Sequence, residues 1–258
     1  MSKPSHTIAA SVAASVLGLT LGLSPIAAAN AAELKVLAGG SMTAALNRLG
    51  PDFEKASGHK LSIHFDSTPN LIKLITAGTP FDLAVVPVDV FQDAAASSHF
   101  SPGPTIDIAR VGYGIAVRAG VARPDVSTPA GLKKALLDAA SIAFVPSSAA
   151  GAYVIKVFER LGIAEEMKAK TKAVGTPAQI APAVAGGDAA LGVFLTNVLI
   201  APGVELAGPF PTDLQQELVF TSAVTADSKD ADAARALIDY LRTPAARAAL
   251  EAAGMTPG

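Results

Sequence analysis

Arg110 lies within an apolar stretch, Ile108-Ala109-Arg110-Val111-Gly112-Tyr113-Gly114. A guanidinium there can fork onto a carboxylate through two parallel hydrogen bonds. Its plain alternative is a solvated arginine at a strand end. Ser147 and Ser148 stand before a helical pattern that opens at Ala149. They offer hydroxyl and N–H donors to an anion, or they simply cap the helix. Tyr113 adds another hydroxyl, or packs against Gly114. These donors suit a small organic anion with two or three carboxylates. Close by in type, His64 and Asp66 bring an imidazole and a carboxylate, groups able to move a proton. Their alternatives are a surface histidine on the polar face of a strand and a cap for the following helix.

Other chemistries find no support. The chain has no cysteine, so zinc–thiolate sites and cysteine nucleophiles are excluded. His6, His59, His64 and His99 show no metal-ligand spacing. Gly39-Gly40-Ser41 lacks the lysine and the length of a phosphate loop, and no nucleophile elbow occurs. No metal and no cofactor are expected.

The elements that must position the donors alternate between strand and helix. Leu34 to Leu37 reads as a strand, Gly39-Gly40-Ser41 as a tight turn, and Met42 to Ala56 as a helix that Pro51 should kink or break. Leu61, Ile63 and Phe65 alternate with Ser62 and His64 as in a half-buried strand, and Leu71 to Ala77 follows as a helix. Phe81 to Val86 is a continuous apolar run, the mark of a parallel strand covered on both faces. Val88 to Ser97 is a helix candidate. Ile106 to Val117 and Gln216 to Thr225 are long and strand-like. Between them come helices from Thr128-Pro129 to Asp138, Ala149 to Leu161 and Pro177 to Ala185, and strands at Ser141 to Val145 and Ala190 to Leu195. Asp230 to Leu241 and Pro244 to Ala253 close the chain as helices.

This alternation predicts an α/β protein, mostly parallel sheets with helices on both faces. The two long strands read as crossings between two lobes and act as a hinge. Lobe one would hold residues 32–110 and 220–258, and lobe two residues 111–219. Ligands in such sheets bind at the carboxyl ends of strands, near helix starts.

The N-terminus has the layout of an export signal: Lys3 and His6, an uncharged apolar run from Ile8 to Leu23, then Ala29-Asn30-Ala31 before a mature start at Ala32. Residues 1–31 are therefore expected to be a signal peptide and the mature protein to be periplasmic, with no stable membrane insertion after cleavage. The whole chain carries 20 Lys and Arg against 22 Asp and Glu. Losing Lys3 leaves 19 against 22, a mature charge of −3. That balance argues against nucleic acid as a partner, and it requires any anion to be held locally. Tryptophan is absent, which disfavours a sugar-stacking cleft.

Leu37-Ala38-Gly39-Gly40-Ser41-Met42-Thr43-Ala44-Ala45-Leu46 resembles the opening of the molybdate-binding proteins of ABC importers. So do Ile75-Thr76-Ala77-Gly78-Thr79-Pro80-Phe81-Asp82-Leu83, Ala150-Gly151-Ala152-Tyr153, and Asp188-Ala189-Ala190-Leu191-Gly192-Val193. The resemblance covers the mature chain and implies a two-lobed type II periplasmic binding protein. It implies a small anionic ligand, an ABC permease as partner and a monomeric state. Within it, Ser41 matches the family's first serine and Thr68 falls where its second hydroxyl belongs. Three positions depart: Pro87 and Pro177 stand where the family donates backbone N–H groups, and Leu195 where it has a tyrosine. Lost donors matter to a buried dianion, so an organic di- or tricarboxylate is favoured over molybdate. Bacterial aconitate isomerases are similar to this family as well. That resemblance implies a second activity, interconversion of cis- and trans-aconitate by proton transfer, but carries over no catalytic residues; Asp66 and His64 are candidate bases only by their position beside Ser67-Thr68.

Overall fold

The computed structural model describes Met1 and residues 31–258. The export signal expected at residues 1–31 therefore falls, save for Met1 and Ala31, outside the described residues. Strand β1 (Glu33–Gly39) leads through a 3-10 turn (Gly40–Met42) into α1 (Thr43–Ser57). Then come β2 (Lys60–Asp66), α2 (Thr68–Thr76), β3 (Leu83–Pro87), α3 (Asp89–Gln92), α4 (Ala94–Ser97) and β4 (Ile106–Arg118). The middle of the chain forms α5 (Pro129–Asp138), β5 (Ile142–Phe144), α6 (Ala149–Arg160), α7 (Ala164–Lys170) and β6 (Thr171–Ala173). A 3-10 turn (Pro177–Gln179) opens α8 (Ile180–Ala185), followed by β7 (Leu191–Leu195), α9 (Thr196–Leu199), β8 (Val204–Pro209) and β9 (Glu217–Val224). The chain ends with α10 (Ala231–Leu241), α11 (Pro244–Ala252) and β10 (Thr256–Pro257).

The strands run in the order β2-β1-β3-β9-β4-β7-β5-β6, with β8 and β10 also paired to β4. Each wing is parallel: β1 pairs with β2 and β3, and β5 with β6 and β7. The middle is antiparallel, where β9 pairs with β3 and β4, and β4 with β7 and β8. Strand β4 joins the wings. It pairs with β9 up to Gly112 and with β7 from Tyr113 onward. Strand β9 stays beside β3 and β4, so the return crossing runs through residues 210–216. There the Gln215 side chain stands in for a strand: its Oε1 accepts from the Tyr113 N–H at 2.8 Å and its Nε2 donates to the Tyr113 carbonyl at 2.9 Å.

The apolar runs of β1 and β3 follow from burial on both faces. Val36, Leu83 and Val85 join the large core with Leu46, Phe53 and Leu237, whereas Leu37, Ala84 and Val86 face Leu71, Ile75 and Val90.

Two expectations are corrected. Pro51 does not break α1, which continues to Ser57. Proline removes the bond to the Asn47 carbonyl, but both residues lie on the exposed face, where water serves that carbonyl. Val88 to Ser97 is two short helices, because Asp93 takes an extended conformation and its carboxylate caps α4 at the Ala96 N–H, 2.9 Å away. Helices α7 and α9 and strands β6 and β8 had no clear periodic signal, being three to seven residues long.

The start of α6 is packed without slack. A Cβ on Gly151 would lie 1.8 Å from the Val145 carbonyl oxygen. Gly151→Ala is expected to lower folding stability by roughly 2–3 kcal/mol, read from urea unfolding.

Candidate functional site

Four helix starts, at the carboxyl ends of parallel strands, face one hollow. The turn after β1 supplies Gly39, Gly40 and Ser41; β2 leads to Asp66, Ser67 and Thr68; β3 ends in Pro87. From the other wing come Ser148 and Ala150 after β5, Pro177 after β6 and Phe194 on β7. Leu218 and Phe220 of β9 complete the wall. The room for the centre of a water-sized molecule is about 20 Å³, enough for about one water. A larger guest must part the wings.

The first turn of a helix leaves N–H groups without intrahelical partners. Among the described residues, the N–H groups of Ser41, Thr68 and Ala150 have no acceptor. The hydroxyl of Ser41, only 8% exposed, also has no hydrogen bond among them. These donors share the hollow with the positive ends of α2 and α6. Among the described residues no lysine, arginine or histidine lines it. Its other side is apolar, formed by Pro87, Pro177, Phe194, Leu218 and Phe220.

The two wings touch across the hollow. The Ala149 N–H donates to Thr68 Oγ1 at 3.4 Å, and Asn197 Nδ2 donates to the Ser41 carbonyl at 2.7 Å. A Cβ on Gly40 would lie 3.0 Å from Pro177 Cδ, so the close approach of the wings calls for glycine there.

The residues singled out in the sequence divide. Ser41, Thr68, Ser148 and Asp66 line the hollow. Ser148 nevertheless spends its hydroxyl on capping, accepting from the Gly151 N–H at 3.0 Å and donating to the Val145 carbonyl at 2.8 Å. Ser147 is exposed and does not line the hollow. Arg110 is not brought to it either. It projects from β4 beside β10, and its guanidinium pairs with Asp107 at 3.2 Å. Tyr113 is buried away from the hollow, its ring 4.8 Å from that of Tyr153 and 5.8 Å from that of Phe210. Burial, with Asp89 and Tyr153 nearby, pushes its hydroxyl well above the ordinary tyrosine range.

His64 is more than half exposed, and its Nε2 lies 3.4 Å from Asp66 Oδ2. The other Asp66 oxygen accepts from the Ser67 N–H at 2.7 Å and from Asn70 Nδ2 at 2.9 Å. Burial raises the Asp66 pKa, but the bonds from Asn70, Ser67 and His64 outweigh it and hold the carboxyl below its usual range. Asp66 thus orders the start of α2. Asn197 and Ala150 were missed. Asn197 carries no motif, and Ala150 acts through its backbone. Among the described residues, no group of three or more His, Cys, Asp or Glu is placed to hold a metal.

Two α/β wings that meet over a donor-lined hollow define a protein that captures a solute between lobes. The chain belongs to the bacterial extracellular solute-binding protein family, whose profile matches residues 34–256. It is 30% identical over 233 residues to the molybdate-binding protein ModA of Azotobacter vinelandii, covering 88% of this chain and 91% of that one. It is 29% identical over 248 residues to an aconitate isomerase of a Pseudomonas species, covering 93% of this chain and 94% of that one. Among solved structures, the periplasmic molybdate-binding protein of Azotobacter vinelandii superimposes with a TM-score of 0.73 at 21% identity, over 86% of this chain and 98% of that one. The fold is therefore the two-lobed type II arrangement. No helix of the described residues is long and apolar enough to cross a membrane.

Asp66 favours its ionised form in the fold, so it stabilises the protein fully above its ordinary pKa of 3.8. That stabilisation is lost as the pH falls through the lowered folded value. In urea unfolding, the stability gap between wild type and Asp66→Asn should stay constant from neutral pH to about pH 5. It should close as the pH drops further into the acid range.

Proposed function

We propose that this protein captures a small organic anion, of the di- or tricarboxylate class, in the periplasm and presents it to an ABC importer. The carrying observation is the two-sided hollow: hydroxyls and free N–H groups on one side, prolines and phenylalanines on the other, and no cation among the described lining residues. A guest carboxylate is held by the Ser41 and Thr68 hydroxyls and by the N–H groups of Ser41, Thr68 and Ala150. Neutral donors lose little hydration when buried, and the helix starts supply positive potential. The guest's carbon frame rests on Phe194, Phe220, Pro87 and Pro177. Both prolines line the hollow without an N–H to offer, which handicaps a small dianion that needs a donor on every side.

In this reading residues 1–31 direct export. Residues 32–110 with 220–258 form one lobe and residues 111–219 the other, and the protein works as a monomer. Strand β4 and the segment around Gln215 bend as the lobes part and close.

A thermal-shift series with citrate, cis-aconitate, trans-aconitate, molybdate, tungstate and sulfate tests this. Binding to the folded state alone stabilises it by about 2.7 kcal/mol at a concentration one hundred times Kd. A carboxylate should raise the Tm, with Ser41→Ala weakening the effect at least about tenfold and Arg110→Ala leaving it unchanged. A shift confined to molybdate and tungstate would overturn the assignment of an organic guest.

A second reading, isomerisation of aconitate, is favoured by the 29% identity to the Pseudomonas enzyme across nearly the whole chain. Asp66 suits it poorly, since a carboxyl held below its usual range is a weak base at neutral pH. Proton NMR of trans-aconitate incubated with the protein separates the two readings. The binding reading expects no cis-aconitate above the protein-free rate. Turnover that Asp66→Asn abolishes would establish the enzyme.

A further inference from the structure

Asn197 sits where α9 begins, just past β7, and the described contacts leave its side chain a single partner. That partner is the Ser41 carbonyl, 156 residues away on the opposite wing. Both residues are at least nine-tenths buried, with Asn197 7% and Ser41 8% exposed, so water does not compete for the bond while the wings are together. The bond holds the peptide that follows Ser41 and thereby fixes the turn carrying the Ser41 N–H and hydroxyl toward the hollow. The Ala149–Thr68 contact, at 3.4 Å, is longer and weaker.

The other end of the same amide has no such support. Asn197 Oδ1 is buried with no hydrogen-bond partner among the described residues. A buried acceptor left unpaired costs free energy that opening returns, because water reaches it as the wings part. The amide therefore favours closure through Nδ2 and opposes it through Oδ1. That combination makes a reversible fastener, one that holds the lobes together without locking them.

We propose that Asn197 is the positioning residue that couples lobe closure to the placement of Ser41. This rests on the assignment of Ser41 to the ligand site, but the coupling itself exists without any ligand. It can be tested on the ligand-free protein, so its failure is separate from a failure to identify the guest. The groove beside Asn197 is shared by both wings: Gly40, Ser41 and Ala44 on one side, Pro177 and Pro182 on the other. A change at Asn197 acts at this seam and not in either core.

The absence of cysteine makes the measurement clean. Spin labels are placed on Lys55→Cys in α1 and Lys168→Cys in α7, both exposed and on opposite wings. The distance distribution is then recorded without ligand in wild type, Asn197→Asp, Asn197→Ala and the surface control Val121→Ala, exposed and away from the seam. Asn197→Asp keeps the shape, loses the donor and sets a carboxylate against the Ser41 carbonyl. The ratio of short to long distances should fall about tenfold or more in Asn197→Asp and about threefold in Asn197→Ala. It should not change in Val121→Ala. Asn197→Ala keeps the test valid if the buried carboxylate of Asn197→Asp prevents folding. An unchanged ratio in the folded Asn197 variants, or only the long distance in wild type, would overturn the proposal.

Discussion

Every helix start exposes N–H groups that its own backbone cannot satisfy, and a protein must hydrate them, cap them or give them to a guest. Here the constraint is met differently at neighbouring positions. Thr128 and Thr243 cap α5 and α11 with their own hydroxyls, and those helices begin away from the hollow. At the hollow, Ser148 caps only Gly151, while the N–H groups of Ser41, Thr68 and Ala150 stay uncommitted. The parallel strands of both wings deliver these helix starts to one place, because every such strand ends where the next helix begins. The antiparallel middle then joins the wings so that their strand ends face each other across a seam.

The seam has its own chemistry. Among the described residues no cationic side chain lines the hollow and Asp66 is its one charged group, while its cross-contacts include a glycine against a proline and two hydrogen bonds between a side chain and a backbone group. Such a site selects by geometry and by the match between donors and acceptors, with little help from net charge. It agrees with the near balance of acids and bases over the whole chain. The likeness to ModA and to an aconitate isomerase over similar spans fits this economy. In the proposed reading, a hollow built from backbone donors keeps its framework while wall residues such as Pro87, Pro177 and Phe194 set the guest.

Much of the architecture was legible before any coordinates. The two-sided burial of Phe81 to Val86, the alternation of Leu61, Ile63 and Phe65, and the Thr-Pro helix starts all carry local physical signatures. Pro51 misled because the rule against proline assumes a carbonyl with no other partner, whereas Asn47 faces water. Ser41, Thr68 and Ser148, read from hydroxyl residues before helices, all line the hollow. Arg110 was assigned by chemical type alone. Type does not say which way a strand residue points, and Arg110 points outward to Asp107. Ala150 and Asn197 escaped, since a backbone donor has no side-chain signature and a lone asparagine has many ordinary uses.

The sequence by itself determined the alternation of elements, the runs that must be buried on both faces and the hydroxyls at helix starts. Each of these is set by neighbours within a few residues. The tertiary structure alone decided which helix starts share a hollow, that Arg110 and Tyr113 stay out of it, and that Asn197 reaches the Ser41 carbonyl. Those outcomes depend on strand order and on the antiparallel crossing at β4, which bring together segments more than a hundred residues apart. No local pattern encodes such distances, because they arise only when two separately folded wings are closed upon each other.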